Sequence, residues 1–325
     1  MTTLPSGTYP LEAIVLGRAG LDLYPTPGGT KTRHAAHFRS DLGGSAGNIA
    51  VALQRLGLRT GLIAPVSADP AGDFVKTFLQ AEGVTHLTPE GLDDGSRTSL
   101  AIAETRTEDC EVVIYRNQAA DLRLTLAQVA ALELTTRAPV LIATGTALAL
   151  EPSRSATLEA LAATPYAVLD LDYRAYTWTS AAQARATYAA ALQRSKIVVG
   201  NEEEFALLAD GKEPLAQARA LAPNHDLIVY KRGAQGAITL SPDGQEQTFG
   251  VFDVAVLKPF GAGDAFMGGL IARLQKGAAL DQAVPFAAAC AALVVSRTGC
   301  ASAMPTQRDV LTLMESQVSH AHSPL

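Results

Sequence analysis

Residues 258–271 read Lys-Pro-Phe-Gly-Ala-Gly-Asp-Ala-Phe-Met-Gly-Gly-Leu-Ile. Three small residues, Gly261, Ala262 and Gly263, lead into an acid, Asp264, and then into a helix-like run. Small residues let backbone approach a ligand closely. The start of a helix offers unpaired N–H groups and a positive dipole end, which suits a phosphate. A carboxylate beside that cradle is a poor phosphate ligand but a good base for a hydroxyl. Together these features point to phosphoryl transfer to an alcohol. Taken alone, Asp264 reads more simply as a first-turn acid stabilised by the helix dipole.

Such a loop needs elements to hold it. Short apolar runs at Glu12–Gly17, Gly61–Val66, Pro139–Thr144, Tyr166–Asp170, Lys196–Val199 and Asp226–Tyr230 read as strands. Amphipathic segments lie between them. Ile49, Ala52, Leu53 and Leu56 share one helical face. Asp69-Pro70 and Gly83 bound a second helix with a cap, a first-turn proline and a terminal glycine. This alternation predicts a three-layer α/β/α core around a mostly parallel sheet. Segments 18–41 and 98–121 hold β-type runs and polar turns without helical periodicity. They are expected to form a small β-sheet lid inserted into a single domain spanning residues 1–325. Ligands of open α/β sheets sit beyond the carboxyl ends of the strands. Those ends carry Arg18 and Asp22, Thr144 and Gly145, Asp172 and Arg174, Asn201 and Glu204, and Lys231 and Gly233.

Composition narrows the function. Net charge is −6 and no basic tract is present, which argues against a nucleic-acid or anionic-membrane partner. No run approaches the roughly 20 apolar residues of a membrane span. Met1–Pro10 lacks the parts of a signal peptide, and Cys110, Cys290 and Cys300 lack metal-ligand spacing. Buried thiols and a cytoplasmic location are expected. The tail Gln317–Leu325 is expected to be disordered.

Common nucleotide signatures fail. No Gly-x-x-x-x-Gly-Lys-Ser/Thr occurs, and Phe266 takes the last glycine position of a dinucleotide motif begun at Gly261 and Gly263. Instead, Lys258–Ile271 resembles, position by position, the C-terminal signature of the ribokinase-like (PfkB-type) carbohydrate kinases. Gly43-Gly44-Ser45-Ala46-Gly47-Asn48, followed by Ala50 and Gly57, resembles their N-terminal signature. The likeness runs from about Glu12 to Pro305. One departure is Ser67, where the family pattern has glycine.

The resemblance implies transfer of the ATP γ-phosphate to a sugar hydroxyl, with Mg²⁺. Asp264 would be the base, and the backbone of Gly261, Ala262 and Gly263 would hold the phosphate. Asn201 and Glu204 resemble the family's Asn-x-x-Glu element, which helps hold Mg²⁺ through water. The same pair also reads as a helix capping box. Lys231, Gly233 and Gly236 resemble the family's nucleotide loop, which reads otherwise as a tight turn. Lys231 stands where many relatives have threonine, so its ammonium could meet a phosphate. Gly43, Gly44, Asn48 and Asp22 would lie against the sugar. A lid with exposed apolar strand residues implies a homodimer through the lid. Lys258 replaces an aspartate found near a potassium ion in many relatives, so K⁺ independence is expected.

The acceptor follows from charge. An acid sugar needs a cation, and arginine meets a carboxylate in bidentate fashion. Arg18, Arg116 and Arg174 fall at strand ends or in the lid, as do Lys31 and Arg33. The contexts of Arg18 and Arg174 resemble the branch acting on 5-dehydro-2-deoxygluconate in inositol catabolism. Tyr115-Arg116 resembles 2-keto-3-deoxygluconate kinases. Fructokinase or ribokinase activity is the remaining carbohydrate alternative. A nucleoside kinase fits three arginines poorly. A non-catalytic sugar-binding member would be expected to lack Asp264 or its small neighbours, and both are present.

Overall fold

The computed structural model describes residues 4–321. Its strands are β1 (Ala13–Leu16), β2 (Gly20–Thr26), β3 (His37–Gly43), β4 (Thr60–Ile63), β5 (Thr85–His86), β6 (Leu100–Ala103) and β7 (Val112–Tyr115). They continue as β8 (Val140–Thr144), β9 (Tyr166–Asp170), β10 (Ile197–Asn201), β11 (Leu227–Lys231), β12 (Ala237–Leu240) and β13 (Glu246–Phe249).

Nine strands form one sheet in the order β13-β12-β11-β10-β9-β8-β1-β4-β5. Pairing is parallel from β11 to β5, and β12 and β13 add an antiparallel edge. Alternate strand residues feed two cores. Val15, Leu62, Ile142, Val168 and Val229 face one helical layer. Leu16, Ile63, Leu141, Leu169 and Ile228 face the other. Both faces are covered, so the central strands read as continuous apolar runs.

All six expected core strands are present. The edge strands β5 and β13 carry no such signal, and the short buried run of β12 was not among the expected strands. β5 is two residues long, and β13 is mostly exposed. The two expected helices form over Ser45–Arg55 and Pro70–Glu82. Asp69 caps the second through Ala71 and Gly72 N–H, and Gly83 ends it in the left-handed conformation.

The lid is a second sheet of four strands, ordered β3-β2-β6-β7. Ser67 ties it to the core. Its hydroxyl lies 2.8 Å from Thr98 Oγ1 and accepts from Thr98 N–H at 2.8 Å. Asp41 is a second tie, accepting from the N–H of Cys300 at 2.9 Å and the hydroxyl of Ser302 at 2.7 Å.

Two expectations need correction. The helix Gln307–Ala321 runs through the start of the supposedly disordered tail, and residues 322–325 lie outside the described residues. Cys110 is only partly buried, while Cys290 and Cys300 are buried and all three are free thiols. Among the described residues no helix is long and apolar enough to cross a membrane.

Candidate active site

A cleft of about 560 Å³ opens between the lid and the carboxyl ends of the strands. Arg18, Asp22, Gly44, Asn48, Arg116, Arg174, Gly261 and Asp264 all line it. Sequence reasoning did not assign site roles to Ser45, Thr146, Asp172, Tyr176, Phe260 and Cys300, which line it too. Lys31 and Arg33 do not.

Helix packing builds the centre of the site. Helix Ala262–Gln275 lies against helix Ser45–Arg55 because Gly268 has no side chain. A Cβ there would come within 2.5 Å of Ala52 Cβ. That approach lets Asn48 Nδ2 donate to Asp264 Oδ2 at 2.7 Å across 216 positions of sequence. Gly261 precedes the helix with φ of 87°, a left-handed turn that suits glycine. The first-turn N–H groups therefore open onto the cleft beside Asp264.

Four buried polar atoms of lining residues have no partner: Asp22 Oδ1, Ser45 Oγ, Asn48 Oδ1 and Asp172 Oδ2. Buried polar atoms are normally paired, so this concentration marks a place prepared for a polar ligand. A hollow of about 640 Å³ at the opposite strand ends, lined by Asp226, Asp243 and Asp281, has no such atom among its described lining.

Electrostatics agree. Burial pushes the Asp264 carboxyl up to about 7; Asp172 adds to the rise, while Asn48, Arg174 and Lys231 oppose it. Burial likewise raises Asp22 against the pull of Arg18 and the Tyr24 hydroxyl, which donates to Asp22 Oδ2 at 3.0 Å. Asp172 holds a φ of 32°, a strained value for a non-glycine residue. Its Oδ1 lies 2.7 Å from Arg174 Nη2. Arg116 is tied to Asp121, through Nε at 3.0 Å and through Nη2, and also donates to Thr146 O at 3.0 Å.

The remaining expected site residues stand beside the cleft. Lys231 Nζ is 3.8 Å from Asp170 Oδ1. A Cβ on Gly263 would sit 3.3 Å from that ammonium, so Lys231 reaches the helix start. Burial works to lower the Lys231 pKa, but Asp170, Glu204, Asp172 and Asp264 outweigh it and the pKa rises. Asn201 and Glu204 form the capping box: Asn201 N–H donates to Glu204 Oε2 at 2.6 Å, and Glu204 N–H donates to Asn201 Oδ1 at 2.9 Å. One Glu204 oxygen remains outside that box. Gly233 and Gly236 form an exposed turn between β11 and β12.

Among the described residues no three acidic, histidine or cysteine groups converge as a ready metal cage. The donor chemistry still fits a divalent cation. Asp170, Glu204 and Asp264 are each raised by burial and by carboxylates around them. Crowded carboxylates with oxygen donors suit Mg²⁺, which keeps waters and takes one or two protein ligands.

Lys258 is fully buried rather than solvent-facing. Its Nζ donates to Phe260 O at 2.7 Å and lies 4.9 Å from the Phe260 ring centroid. Burial lowers its pKa, and Cys300, Asp264, Asp41 and Asp22 oppose that.

Gly43 gives a direct test of this geometry. Its Cβ would stand 1.8 Å from Asp22 Oδ1. Gly43→Ala is expected to lower kcat/KM by about 100-fold through displacement of Asp22. Steady-state kinetics on protein with an unchanged circular-dichroism spectrum would measure it, and near-native activity would refute the packing argument.

A mostly parallel α/β core, a small sheet over its carboxyl edge, and a carboxylate beside a helix-start anion cradle define a kinase with an alcohol acceptor. The chain belongs to the pfkB family of carbohydrate kinases, whose pattern matches residues 11–307. It is accordingly a phosphotransferase acting on a sugar hydroxyl. A 5-dehydro-2-deoxygluconokinase from Photobacterium profundum is 40% identical, covering 95% of this chain and 96% of that one. A 5-dehydro-2-deoxygluconokinase 2 from Bacillus cereus is 34% identical over 94% of this chain and 95% of its own. Fructokinase from Vibrio cholerae O395, solved with fructose, ADP and calcium ion, is 27% identical with a TM-score of 0.78, covering 93% and 99%. A putative ribokinase II from E. coli, solved with ATP and Mg²⁺, shares the fold at a TM-score of 0.84 and 21% identity, covering 94% and 99%.

Proposed function

We propose that this protein transfers the γ-phosphate of ATP to a hydroxyl of 5-dehydro-2-deoxy-D-gluconate. The observation that carries this reading is the cleft itself. It sets Asp264, with its raised pKa, among three arginines and four unpartnered polar atoms. The names of the two curated relatives support the choice of acid sugar.

The roles follow from position. Asp22, Asn48 and the backbone of Gly43 and Gly44 hold sugar hydroxyls, and the acid enters a cleft lined by Arg18, Arg116 and Arg174. The acceptor hydroxyl faces Asp264, which takes its proton as the new O–P bond forms. The bond from the γ-phosphorus to its bridging oxygen breaks, and ADP departs with that oxygen. Lys231 and the N–H groups at Gly261–Gly263 hold the transferring phosphoryl group, while Gly233 and Gly236 shape the nucleotide side. Most of the acceleration in such a reaction is positioning and charge stabilisation. Mg²⁺, held by Asn201 and Glu204 through water, would neutralise phosphate oxygens.

The chain is one kinase domain working in the cytoplasm. It pairs through the lid, where Phe38, Val112, Val113 and Tyr115 are exposed. Lys258 supplies internally the positive charge that a potassium ion would bring.

The test is a substrate panel with Mg-ATP: 5-dehydro-2-deoxy-D-gluconate, 2-keto-3-deoxygluconate, fructose, ribose and adenosine. The first is expected to exceed the neutral substrates in kcat/KM by about 100-fold or more, the size a dedicated charge contact allows. Efficient turnover of fructose or ribose, with both acids ignored, would overturn the reading.

A further inference from the structure

The three arginines of the cleft are not equivalent. Arg116 spends Nε and Nη2 on Asp121 and on Thr146 O. Arg174 is paired with Asp172 and leaves half of its side chain exposed. Arg18 is 9% exposed, and among the described residues it enters no ion pair. Its one side-chain hydrogen bond among them runs from Nη1 to Ser99 Oγ at 3.2 Å. Asp22 feels the charge of Arg18 but stands outside ion-pair distance.

A largely buried guanidinium with no carboxylate within ion-pair distance is only partly compensated, here by the more distant Asp22. Five N–H donors in a planar fork, with one engaged, match a carboxylate arriving from outside. The backbone of Arg18 is clamped for that purpose. Its carbonyl accepts from Gly47 N–H at 3.2 Å, and a Cβ on Gly44 would come within 2.3 Å of the same oxygen. The segment that carries Asn48 therefore also sets where Arg18 enters the cleft.

We propose that Arg18 reads the carboxylate of the substrate and decides acid against neutral sugar. The inference rests on the acid-sugar reading above and assigns its charge contact to one residue. A carboxylate meeting Arg18 gains a charge-assisted fork and breaks no protein ion pair. One meeting Arg174 or Arg116 must share a guanidinium already held by Asp172 or Asp121.

The experiment compares 5-dehydro-2-deoxy-D-gluconate with the same sugar reduced at C1 to a primary alcohol. Wild type, Arg18→Met, Arg116→Met and Arg174→Met are assayed on both. In Arg18→Met the ratio of kcat/KM for acid over alcohol is expected to fall about 100-fold, mainly through KM for the acid. In the other two variants it should change by less than about 5-fold, since their charges are already matched inside the protein. Arg18→Gln, which can keep the Ser99 contact, decides the matter if Arg18→Met does not fold. A melting-point rise on adding Mg-ATP reports the intact nucleotide half. A ratio unchanged in the Arg18 variants, or lowered more in Arg174→Met or Arg116→Met, overturns the assignment. A wild type that uses the alcohol as well as the acid overturns the acid-sugar reading instead.

Discussion

Asp264→Asn is expected to lower kcat by about 1,000-fold, because in the proposed mechanism Asp264 takes the hydroxyl proton. KM for Mg-ATP should move little, since the helix-start N–H groups and Lys231 are untouched. The wild-type pH profile tests the same residue from another side. The Asp264 pKa stands at about 7, and only the ionised form can accept a proton. Activity should therefore fall about tenfold per pH unit below that value and level off above it. A profile flat from pH 5 to 8 would remove Asp264 from the role of base.

Stability should move the opposite way. The folded state holds the Asp264 proton more tightly than the unfolded chain, whose value is near 3.8. That contribution is complete below the unfolded value and is lost as pH rises through the folded one. Asn cannot ionise and still accepts from Asn48. At pH 8 the variant should melt about 2–8 °C higher than wild type, with the gain fading toward pH 4. A less stable variant at pH 8 would show that ionised Asp264 is held by charges rather than strained by burial.

Lys258→Met is expected to lower kcat/KM by about 100-fold and to destabilise the fold by about 2–4 kcal/mol. The ammonium lies beneath the cradle: a Cβ on Gly261 would be 3.4 Å from Nζ and 3.2 Å from Cys300 Sγ. Without it, Asp22, Asp41 and Asp264 lose a cation that each of them faces. Methionine fills similar space but cannot donate to Phe260 O. The wild-type rate should stay within about twofold when Na⁺ is exchanged for K⁺ if, as proposed, Lys258 supplies the charge a potassium ion would bring. A strong rise with K⁺ would sink this assignment, and activity retained by Lys258→Met would show the ammonium to be structural only.

Much of the fold was legible in the sequence. Buried parallel strands are continuous apolar runs, and Tyr166–Asp170 appears with the expected bounds. The edge strand β13 left no comparable trace, because the exposed Glu246–Phe249 carries no apolar run, whereas its neighbour β12 is a buried run of only four residues. Asp172 was visible as a polar strand end, but its strained backbone and its hold on Arg174 were not. Asp170 looked like the last residue of a strand, and only the fold brings Lys231 within 3.8 Å of it and Asp172, Glu204 and Asp264 around it.

Two local motifs, Gly43–Asn48 and Lys258–Ile271, were together enough to set the chemistry class. Small residues before an acid at a helix start are a local arrangement, and local geometry is written in adjacent positions. Folding settled which of those residues share a site and which charges remain free. Asn48 meets Asp264 across 216 positions, and Arg18 meets Ser99 across 81. Arg18, Arg116 and Arg174 are the same residue type in the chain. Folding sets how deeply each is buried and whether a carboxylate comes within ion-pair distance of its guanidinium, since an ion pair depends on distance in space and not on separation in sequence.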